Sequence, residues 1–319
     1  MKKLLFLIII LIAATAFLYF KSVQIINTPQ QLDQVKIIQI RNGMGLREIS
    51  KMLEEEQLVQ KDWHFLLYAR INKIFPKVKA GEYLIDKPMS LIELAQLLSS
   101  GKIYQRKLTV AEGLTSQQIK NILLQNDLLS NDVQDIQEGS FLPETYTFSR
   151  GEKRQNIVNQ AQKAMQMVLQ QAWNERDADL PLKNKEEMLI LASIVEKETG
   201  LAEERPKVAS VFVNRLHKGM MLQTDPTVIY AITKGKKDLQ RSLNRNDLAV
   251  DSFYNTYKYA GLPPTPICNP GKASIMAVAH PDKTPYLYFV AAGNGGHNFA
   301  RSLSEHNENV RKWRLLNRK

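Results

Sequence analysis

The chain begins with an uncharged apolar run, and few folded structures can accommodate such a segment. Two lysines precede the run, which extends from Leu4 to Phe20, and Lys21 closes it. At 1.5 Å per residue a helix of this length spans about 26 Å. That is slightly short of the hydrocarbon core of a bilayer, but it suffices when the flanking lysines reach toward the interface. The sequence therefore predicts a single-pass transmembrane anchor at residues 1–21.

The charges around this run predict its orientation. Positive charge before the run favours a cytoplasmic N-terminus, so residues from about 22 onward are expected outside the cytoplasm. The tripeptide Ala-Thr-Ala at 14–16 resembles a small-residue cleavage site, which leaves a removable signal peptide as the alternative. Residues 18–20 prolong the apolar run beyond that site, and we therefore favour an anchor retained in the inner (cytoplasmic) membrane. Under either interpretation the functional part is periplasmic or otherwise extracytoplasmic.

The net charge narrows the choice of partners. The 319 residues carry a formal charge of +11. An excess of positive charge indicates a negatively charged partner such as nucleic acid, an anionic lipid surface or an acidic polymer. A basic surface that is simply solvated would have the same net charge. Because the chain is predicted to be exported, we expect no nucleic acid as partner.

Several common catalytic chemistries have no counterpart in the sequence. The single cysteine, Cys268, excludes an intrachain disulfide. The five histidines lack the HExxH or HxH spacing of metal ligands. Neither the GxSxG motif of serine hydrolases nor a phosphate-binding GxxxxGK[ST] loop is present. We therefore expect neither a metal nor another cofactor.

A strand–turn–helix pattern occurs repeatedly after the anchor. Residues 22–35 are polar and aperiodic, which predicts a linker. The apolar positions of 40–59 recur seventy residues later at 110–129. A weaker copy of the same pattern lies between them, at 85–98. Two strand–helix units bracket a third helical segment, and together they resemble a LysM-like α/β subdomain at 36–104. A spacer that holds the remainder away from the membrane is the alternative.

The segment LASIVEKETG at 191–200 ends an apolar helix with two carboxylates. We predict a helix from Glu186 to about Thr199, stopped by Gly200 in the C′ position, and apolar on nearly all sides like a central core helix. Glu196 and Glu198 project about 200° apart and cannot face the same site. Lost hydration and the helix dipole raise the pKa of a carboxyl at the end of a buried helix. A raised pKa is what a general acid for glycosidic cleavage requires.

Polar and aromatic residues gather in the loops that follow. A second helix opens at 204–206 and ends at Gly219, and Asp225 is predicted to cap a third, with Pro226 at its first position. Amides bind hydroxyl and N-acetyl groups and aromatic rings stack on sugar faces, so these loops are predicted to line a carbohydrate groove. Loop capping is the alternative for each polar residue taken singly.

The C-terminal sequence predicts a hairpin and a last helix. The strand at 286–292 turns at 293–296 and returns at 297–299, and a basic helix opens at 304–307.

These motifs together resemble one known family. The segments are SIVEKET, ERPKVASVFVNRL, LQTDPTVIY, YNTY, GLPPTPICNPG, HPDKTPYLYFVA, GGHNF and EHN. They are similar to the endolytic murein transglycosylases of the MltG (YceG-like) family over roughly residues 36–319. Two positions depart from the family pattern: Glu144 stands where Asp is more usual, and Thr265 stands where Gly is expected.

The resemblance implies a fold and an activity. The expected fold is α+β, with the LysM-like subdomain packed on a catalytic domain at 105–319. The expected activity is cleavage of the MurNAc–GlcNAc bond within peptidoglycan strands, with formation of 1,6-anhydroMurNAc ends. Peptidoglycan synthases are expected partners from the resemblance alone. A non-catalytic wall-binding or scaffold protein is the alternative.

The resemblance also assigns the catalytic residue. The family's catalytic glutamate falls on Glu198, which would act as acid and then as base, with Glu196 as structural support. We predict the following residues for substrate positioning: Gln223, Asp225, Tyr254, Asn255, Asn269 and His297.

Overall fold

The apolar N-terminal run forms one long helix, α1 (Lys2–Asn27). The computed structural model describes residues 2–316, so Met1 of the predicted anchor and residues 317–319 of the predicted catalytic domain lie outside it. Within α1, Lys3–Asn27 is long and apolar enough to cross a membrane, and its apolar stretch is not buried against protein. The helix continues past Lys21 to Asn27, so the first part of the predicted linker is helical.

The described chain is mixed α+β and divides into two units. The N-terminal unit contains the residues up to Arg106 together with Thr147–Arg150. The C-terminal unit contains Lys107–Tyr146 and the residues from Gly151 onward.

The N-terminal unit contains the strand–helix pairs expected from the sequence. Its elements are β1 (Lys36–Ile40), α2 (Leu46–Glu55), α3 (Asp62–Ile71), a 3-10 turn (Phe75–Lys77), β2 (Gly81–Ile85) and α4 (Leu91–Ser100). Strands β1 and β2 are antiparallel, with Lys36 opposite Ile85. The helices and the inner side of this pair enclose a core that includes Ile38, Phe65 and Tyr83.

The repeat seen in the sequence corresponds to a repeated local structure. Gly43 precedes α2 with φ of 85°, and Gly113 precedes the helix of the second copy with φ of 75°. Both values lie in the left-handed region that glycine enters without steric cost. The equivalent residues Ile49 and Ile119 are both buried in their own units.

The C-terminal unit is mostly helical. Two short strands, β3 (Arg106–Thr109) and β4 (Thr145–Phe148), lie where the chain passes between the units. The helices are α5 (Ser116–Gln125), α6 (Arg154–Glu175), α7 (Lys185–Glu198), α8 (Arg205–His217), α9 (Asp225–Thr233), α10 (Arg245–Leu248), α11 (Lys272–Ala279) and α12 (Leu303–Leu316). The antiparallel hairpin β5 (Tyr288–Ala291) and β6 (His297–Ala300) precedes α12 and confirms the predicted turn.

Helix α7 is the central helix of this unit, as its apolar surface predicts. Leu191, Ile194 and Val195 are fully buried against neighbouring helices. The helix ends where predicted, with Thr199 as its C-cap and Gly200 in the C′ position, although Gly200 does not adopt a left-handed conformation. Instead Thr199 is extended with φ of −139°, and its hydroxyl accepts a hydrogen bond from the N–H of Leu201 at 3.1 Å. This arrangement leaves Glu198 as the last residue of a rigid, buried helix.

Candidate active site

The carboxyl of Glu198 opens onto a cleft of about 430 Å³ in the C-terminal unit. Helices α7, α8, α9 and α12, strand β5 and the turn around Tyr257 all contribute to its walls. The lining residues are Glu198, Phe212, Arg215, Leu222, Gln223, Asp225, Tyr257, Tyr288, Phe289, Val290, Leu303 and His306.

Thr224 forms a hydrogen bond with one oxygen of the Glu198 carboxyl. Its hydroxyl donates a short hydrogen bond to Oε1 of Glu198. Thr224 is itself fixed, because its N–H donates to the hydroxyl of Thr256 at 3.1 Å. The predicted cap of α9 is therefore displaced by one residue: Thr224 occupies the N-cap position and Asp225 is the first helical residue. The Thr224 hydroxyl makes no capping bond because it is directed to Glu198 instead.

The surroundings of Glu198 raise its pKa from the ordinary 4.5 to about 7. Burial is the main cause, since the surrounding protein disfavours the charged form. The hydrogen bond from Thr224 opposes this change, the nearby Asp225 carboxylate reinforces it, and the charges of His297 and Arg215 oppose it. A carboxyl with this pKa holds a proton for part of the time at neutral pH and can still release it.

Glu196 has a different environment, as the helix geometry predicts. Its Oε2 accepts a hydrogen bond from the N–H of Gly271 at 2.9 Å. Its Oε1 lies 3.5 Å from Nη2 of Arg205, and the side chain is almost fully buried. Glu196 therefore joins α7 to the start of α8 and to the loop before α11, and it does not line the cleft.

Asp225 and Gln223 lie in the cleft as neighbours of Glu198. The hydroxyl of Tyr257 donates to Oδ1 of Asp225 at 2.6 Å, which holds the carboxylate in place. Gln223 adopts φ of 48°, unusual for a residue with a Cβ, and its N–H donates to the carbonyl of Thr256 at 3.1 Å. This hydrogen bond helps to hold Gln223 in its strained conformation in the wall of the cleft.

His297 is held close to Glu198 by a two-point contact with Glu204. Its Nδ1 lies 2.7 Å from Oε2 of Glu204, and its N–H donates to Oε1 at 2.9 Å. Burial acts to raise the pKa of Glu204, but these two bonds outweigh it and the pKa is lowered. A Cβ on the preceding Gly296 would lie 2.7 Å from the Glu204 carboxylate, so this approach requires glycine.

His297 is not among the residues that line the cleft, and three further predicted site residues also lie outside its lining. The amide nitrogen of Asn255 donates to the carbonyls of Leu248 and Val250. Asn269 accepts from the N–H of Phe141 and, like Asn255, has no exposed surface. The hydroxyl of Tyr254 lies 2.7 Å from that of Thr265. These side chains stabilise loops. Loop capping was the alternative role that the sequence offered for each polar residue taken singly.

Several side chains that the sequence did not predict also line the cleft, and besides Tyr257 the polar or aromatic ones with a distinct role are Arg215, Tyr288 and His306. Arg215 donates to the carbonyls of Met221, Leu222 and Leu287, and its guanidinium lies 5.1 Å from the ring centroid of Tyr288. The signal in the sequence was a charged residue on the apolar stripe of α8. No periodic signal marked the other two, Tyr288 and His306.

His306 lines the cleft from α12, and one of its ring nitrogens makes no hydrogen bond to residues 2–316. Its ring stacks on Tyr288 with centroids 5.3 Å apart. Its Nδ1 is buried without a hydrogen-bond partner. Burial and the positive charge of Arg215 lower the pKa of His306, which favours the neutral imidazole.

A larger groove of this unit lies elsewhere and contains the carboxyl of Glu138, whose pKa is raised by burial. Both oxygens of Glu138 already accept hydrogen bonds, from the N–H of Ser116 and from the hydroxyl of Tyr230. The volume of this groove is about 1060 Å³, and α6, the first half of α7 and Pro264–Pro266 line it. Within residues 2–316, no group of three or more His, Cys, Asp or Glu side chains has the arrangement of a metal site. The smaller cleft at Glu198 therefore has the stronger chemical basis as an active site.

Sequence and structure comparisons identify similar proteins. Residues 38–312 match the model of the family described as YceG-like. A Bacillus subtilis (strain 168) protein named endolytic murein transglycosylase is 33% identical over 338 residues, which cover 95% of this chain and 91% of that protein. A protein of the same name from Streptococcus pneumoniae (strain D39) is 29% identical over 318 residues, covering 85% of this chain but 57% of its own length.

A solved structure agrees with the sequence comparisons. The crystal structure of a yceG-like protein from Listeria monocytogenes has a TM-score of 0.53 and 31% identity to this chain. The match covers 86% of this chain and 99% of the Listeria chain.

Proposed function

This chain belongs to the YceG-like family, and we propose that it is an endolytic murein transglycosylase, a lyase that cuts peptidoglycan glycan strands within the chain. The observation that carries the proposal is the Glu198 carboxyl, half-buried at the end of α7, with a pKa of about 7 and an opening onto the cleft. Such a group can donate a proton to a leaving oxygen and then accept one.

The proposed first step breaks the glycosidic bond. Protonated Glu198 donates its proton to the oxygen that joins MurNAc to GlcNAc, and the bond from C1 to that oxygen breaks through an oxocarbenium-like state. The released GlcNAc carries the proton as a hydroxyl. The Asp225 carboxylate, held by Tyr257, stabilises the positive charge at C1.

The proposed second step closes the anhydro ring. The Glu198 carboxylate takes the proton of the C6 hydroxyl of the same MurNAc, and that oxygen bonds to C1. Glu198 is protonated again, and no water is consumed. One carboxyl therefore serves as both acid and base.

The substrate contacts follow from the positions of the side chains. We propose Gln223, Asp225 and His297 as groups that position the glycan strand. For Tyr254, Asn255 and Asn269 we propose an indirect role, because they support the loops on which such contacts depend.

The experiment is mass spectrometry of the products from purified glycan strands. Wild-type chain is expected to release fragments with 1,6-anhydroMurNAc ends, and Glu198→Gln is expected to release none. Glu196→Gln is the matched control on the same helix and should still produce anhydro ends.

Each other outcome has a defined meaning. Fragments with free reducing ends would contradict the transglycosylase proposal and favour a hydrolase in which Asp225 acts as the second carboxylate. Full activity in both variants would leave the scaffold protein as the better interpretation. Activity lost only in Glu196→Gln would mean that the catalytic carboxyl is not Glu198.

We also propose the location, the domain roles and the partners of the chain, on the basis of helix α1 and of the family. Helix α1 serves as a single-pass anchor in the inner membrane, with a cytoplasmic N-terminus and an extracytoplasmic catalytic domain at 105–319. The two antiparallel strands and the helices of 36–104 serve as a LysM-like module that binds the same polymer. Peptidoglycan synthases are proposed partners.

A further inference from the structure

Helix α3 carries an apolar stripe that remains uncovered in the described part of the chain. Trp63, Leu67 and Ile71 are 55%, 53% and 70% exposed. Because they are four residues apart, they lie on one face of the helix and extend over about 12 Å. Phe75, in the turn that follows, continues the apolar surface and is 39% exposed. Exposed large hydrophobic residues scattered singly are common, but a contiguous stripe of this kind marks an interaction surface.

The stripe is not an incompletely buried core face. Phe65 and Ala69 project from the other side of α3 and are fully buried in the core of the N-terminal unit. The helix therefore already has a buried face that packs in the core, and the stripe is a second, largely exposed apolar face.

Basic residues surround the stripe. Arg70 lies on the same face of α3 as Trp63 and Leu67, and Lys73 and Lys77 follow the helix. None of these three forms an ion pair with the residues that the structure describes. Helix α3 itself carries one acidic residue, Asp62 in its first turn, and Glu54 of α2 lies 3.1 Å from Lys61.

The same unit carries the anchor helix. Ile26 near the end of α1 and Leu32 after it both pack against the core that holds α3. The N–H of Gln30 donates to the carbonyl of Met89 at 2.9 Å. Helix α4 contacts both α1 and α3. Since packed residues connect the anchor to the unit, the unit is held at the membrane surface.

We propose that the α3 stripe is a second membrane contact, which inserts into the boundary between the headgroups and acyl chains of an anionic bilayer. The proposal rests on the anchor proposed above, and it does not depend on the reaction at Glu198. Trp and Phe favour the membrane interface, the aliphatic side chains enter the acyl region, and Arg and Lys attract anionic headgroups.

The composition of the stripe favours lipid over a glycan strand. Sugar-binding surfaces combine aromatic rings with amide groups that bind hydroxyls. Leu67 and Ile71 offer neither, whereas both gain from transfer into hydrocarbon. Two contacts, α1 and the stripe, would define the orientation of the N-terminal unit on the bilayer.

The test uses the full chain with Trp63 as its only tryptophan, obtained by Trp173→Phe and Trp313→Phe. This variant is reconstituted in phosphatidylglycerol-containing vesicles that include lipids brominated in the acyl chains. Brominated lipid is expected to reduce Trp63 emission at least twofold, and acrylamide is expected to quench it at least threefold less than an exposed tryptophan.

The matched control moves the probe to the other unit. Trp63→Phe with Phe253→Trp, in the same background, places the single tryptophan at a position that is 69% exposed. This probe should remain accessible to acrylamide and insensitive to brominated lipid. Leu67→Ser with Ile71→Ser in the Trp63-only chain should reduce the lipid quenching of Trp63, while the chain still floats with the vesicles through α1.

Several results would overturn the proposal. Acrylamide quenching of Trp63 equal to that of the position 253 control would show that the stripe faces water. Shielding that appears only on addition of glycan strands would assign the stripe to the polymer, and shielding that increases with protein density would assign it to a second copy. Chain that does not float with the vesicles would exclude the anchor and the stripe contact together, whereas product analysis reports on the reaction independently.

Discussion

At the scale of single residues, the proton of Glu198 depends on a balance between burial and two immediate neighbours. Burial and the Asp225 carboxylate favour the neutral acid, and the hydroxyl of Thr224 favours the anion. The net effect places the pKa at about 7, near the pH at which an acid and a base role can alternate. This balance leads to two predictions.

The first prediction concerns stability. Below pH 4.5 Glu198 is protonated in both the folded and unfolded states and has no effect on pH dependence. Between pH 4.5 and about 7, Glu198 loses its proton in the unfolded state but keeps it in the folded state, so the free energy of unfolding of the wild type falls as pH rises. Above pH 7 Glu198 is ionised in both states, and the free energy of unfolding stays at this lower value. Glu198→Gln should therefore match wild type near pH 4.5 and exceed it by about 3 kcal/mol at pH 8. Denaturant unfolding at the two pH values measures this difference.

The control for this prediction is Glu196→Gln. It removes the contact with Arg205 and should lower stability without any gain between pH 4.5 and 8. A constant difference between Glu198→Gln and wild type across this range would contradict a raised pKa at Glu198.

The second prediction concerns the pH profile of cleavage. Activity should decline as pH rises through about 7, because Glu198 loses the proton that it donates. Thr224→Val removes the hydrogen bond that favours the anion, so the alkaline limb of kcat/KM should move to higher pH. Thr233→Val, a buried substitution at the other end of α9, should leave the profile in place. A shift to lower pH in Thr224→Val would contradict the assigned role of the hydroxyl.

At the scale of elements, one arginine joins several parts of the cleft. From α8, Arg215 donates to the carbonyl of Leu287 just before β5, and to those of Met221 and Leu222 before α9. The neighbouring Asn214 donates to the carbonyls of Thr284 and Tyr286. These bonds satisfy loop carbonyls that would otherwise be buried without partners.

The third prediction follows from this connection. Arg215→Lys keeps the charge but cannot reach the three carbonyls together, because a lysine presents one compact donor group in place of a planar fork. We expect a loss of about 2–4 kcal/mol in the free energy of unfolding. Arg301→Lys, an exposed change in the same unit, should stay within about 0.5 kcal/mol. Equal stability of the two variants would show that the Arg215 hydrogen bonds are dispensable.

At the scale of the whole molecule, the main feature is α1, which is long and apolar enough to cross a membrane. Its apolar residues are highly exposed, which is costly in water and favourable in a bilayer. The rival interpretation, a signal peptide cleaved after residues 14–16, predicts a mature chain without this helix.

The fourth prediction separates these two interpretations. The chain isolated from membranes should have the mass of the uncleaved sequence and float with vesicles. Ile9→Asp with Ile10→Asp should reduce flotation strongly, since each aspartate costs about 3 kcal/mol near the centre of the bilayer. Gln24→Asp, close to the end of α1, should have little effect. A mass that corresponds to cleavage near Ala16 would contradict the retained anchor.

The agreement between sequence and structure is best where the pattern is local. The apolar circumference of α7 and the hairpin of β5 and β6 follow from periodicity and turn residues. The cap of α9 was wrong by one residue, because Thr224 uses its hydroxyl for Glu198, a partner 26 positions away in the chain. The end of α7 agrees with the prediction, with Gly200 in the C′ position after an extended Thr199.

The sequence by itself determined the apolar N-terminal helix, the core helix and the separation of Glu196 from Glu198, because each depends on the residue pattern within one segment. Only the tertiary structure decided which polar side chains face the cleft. Asn255, Asn269 and Gln223 are alike in the sequence as polar loop residues, yet the first two form hydrogen bonds with backbone groups and only Gln223 lines the cleft. Arg215 and His306 reach the cleft from helices far apart in the chain. Burial and hydrogen-bond partners arise from contacts between distant segments, and local sequence patterns do not encode them.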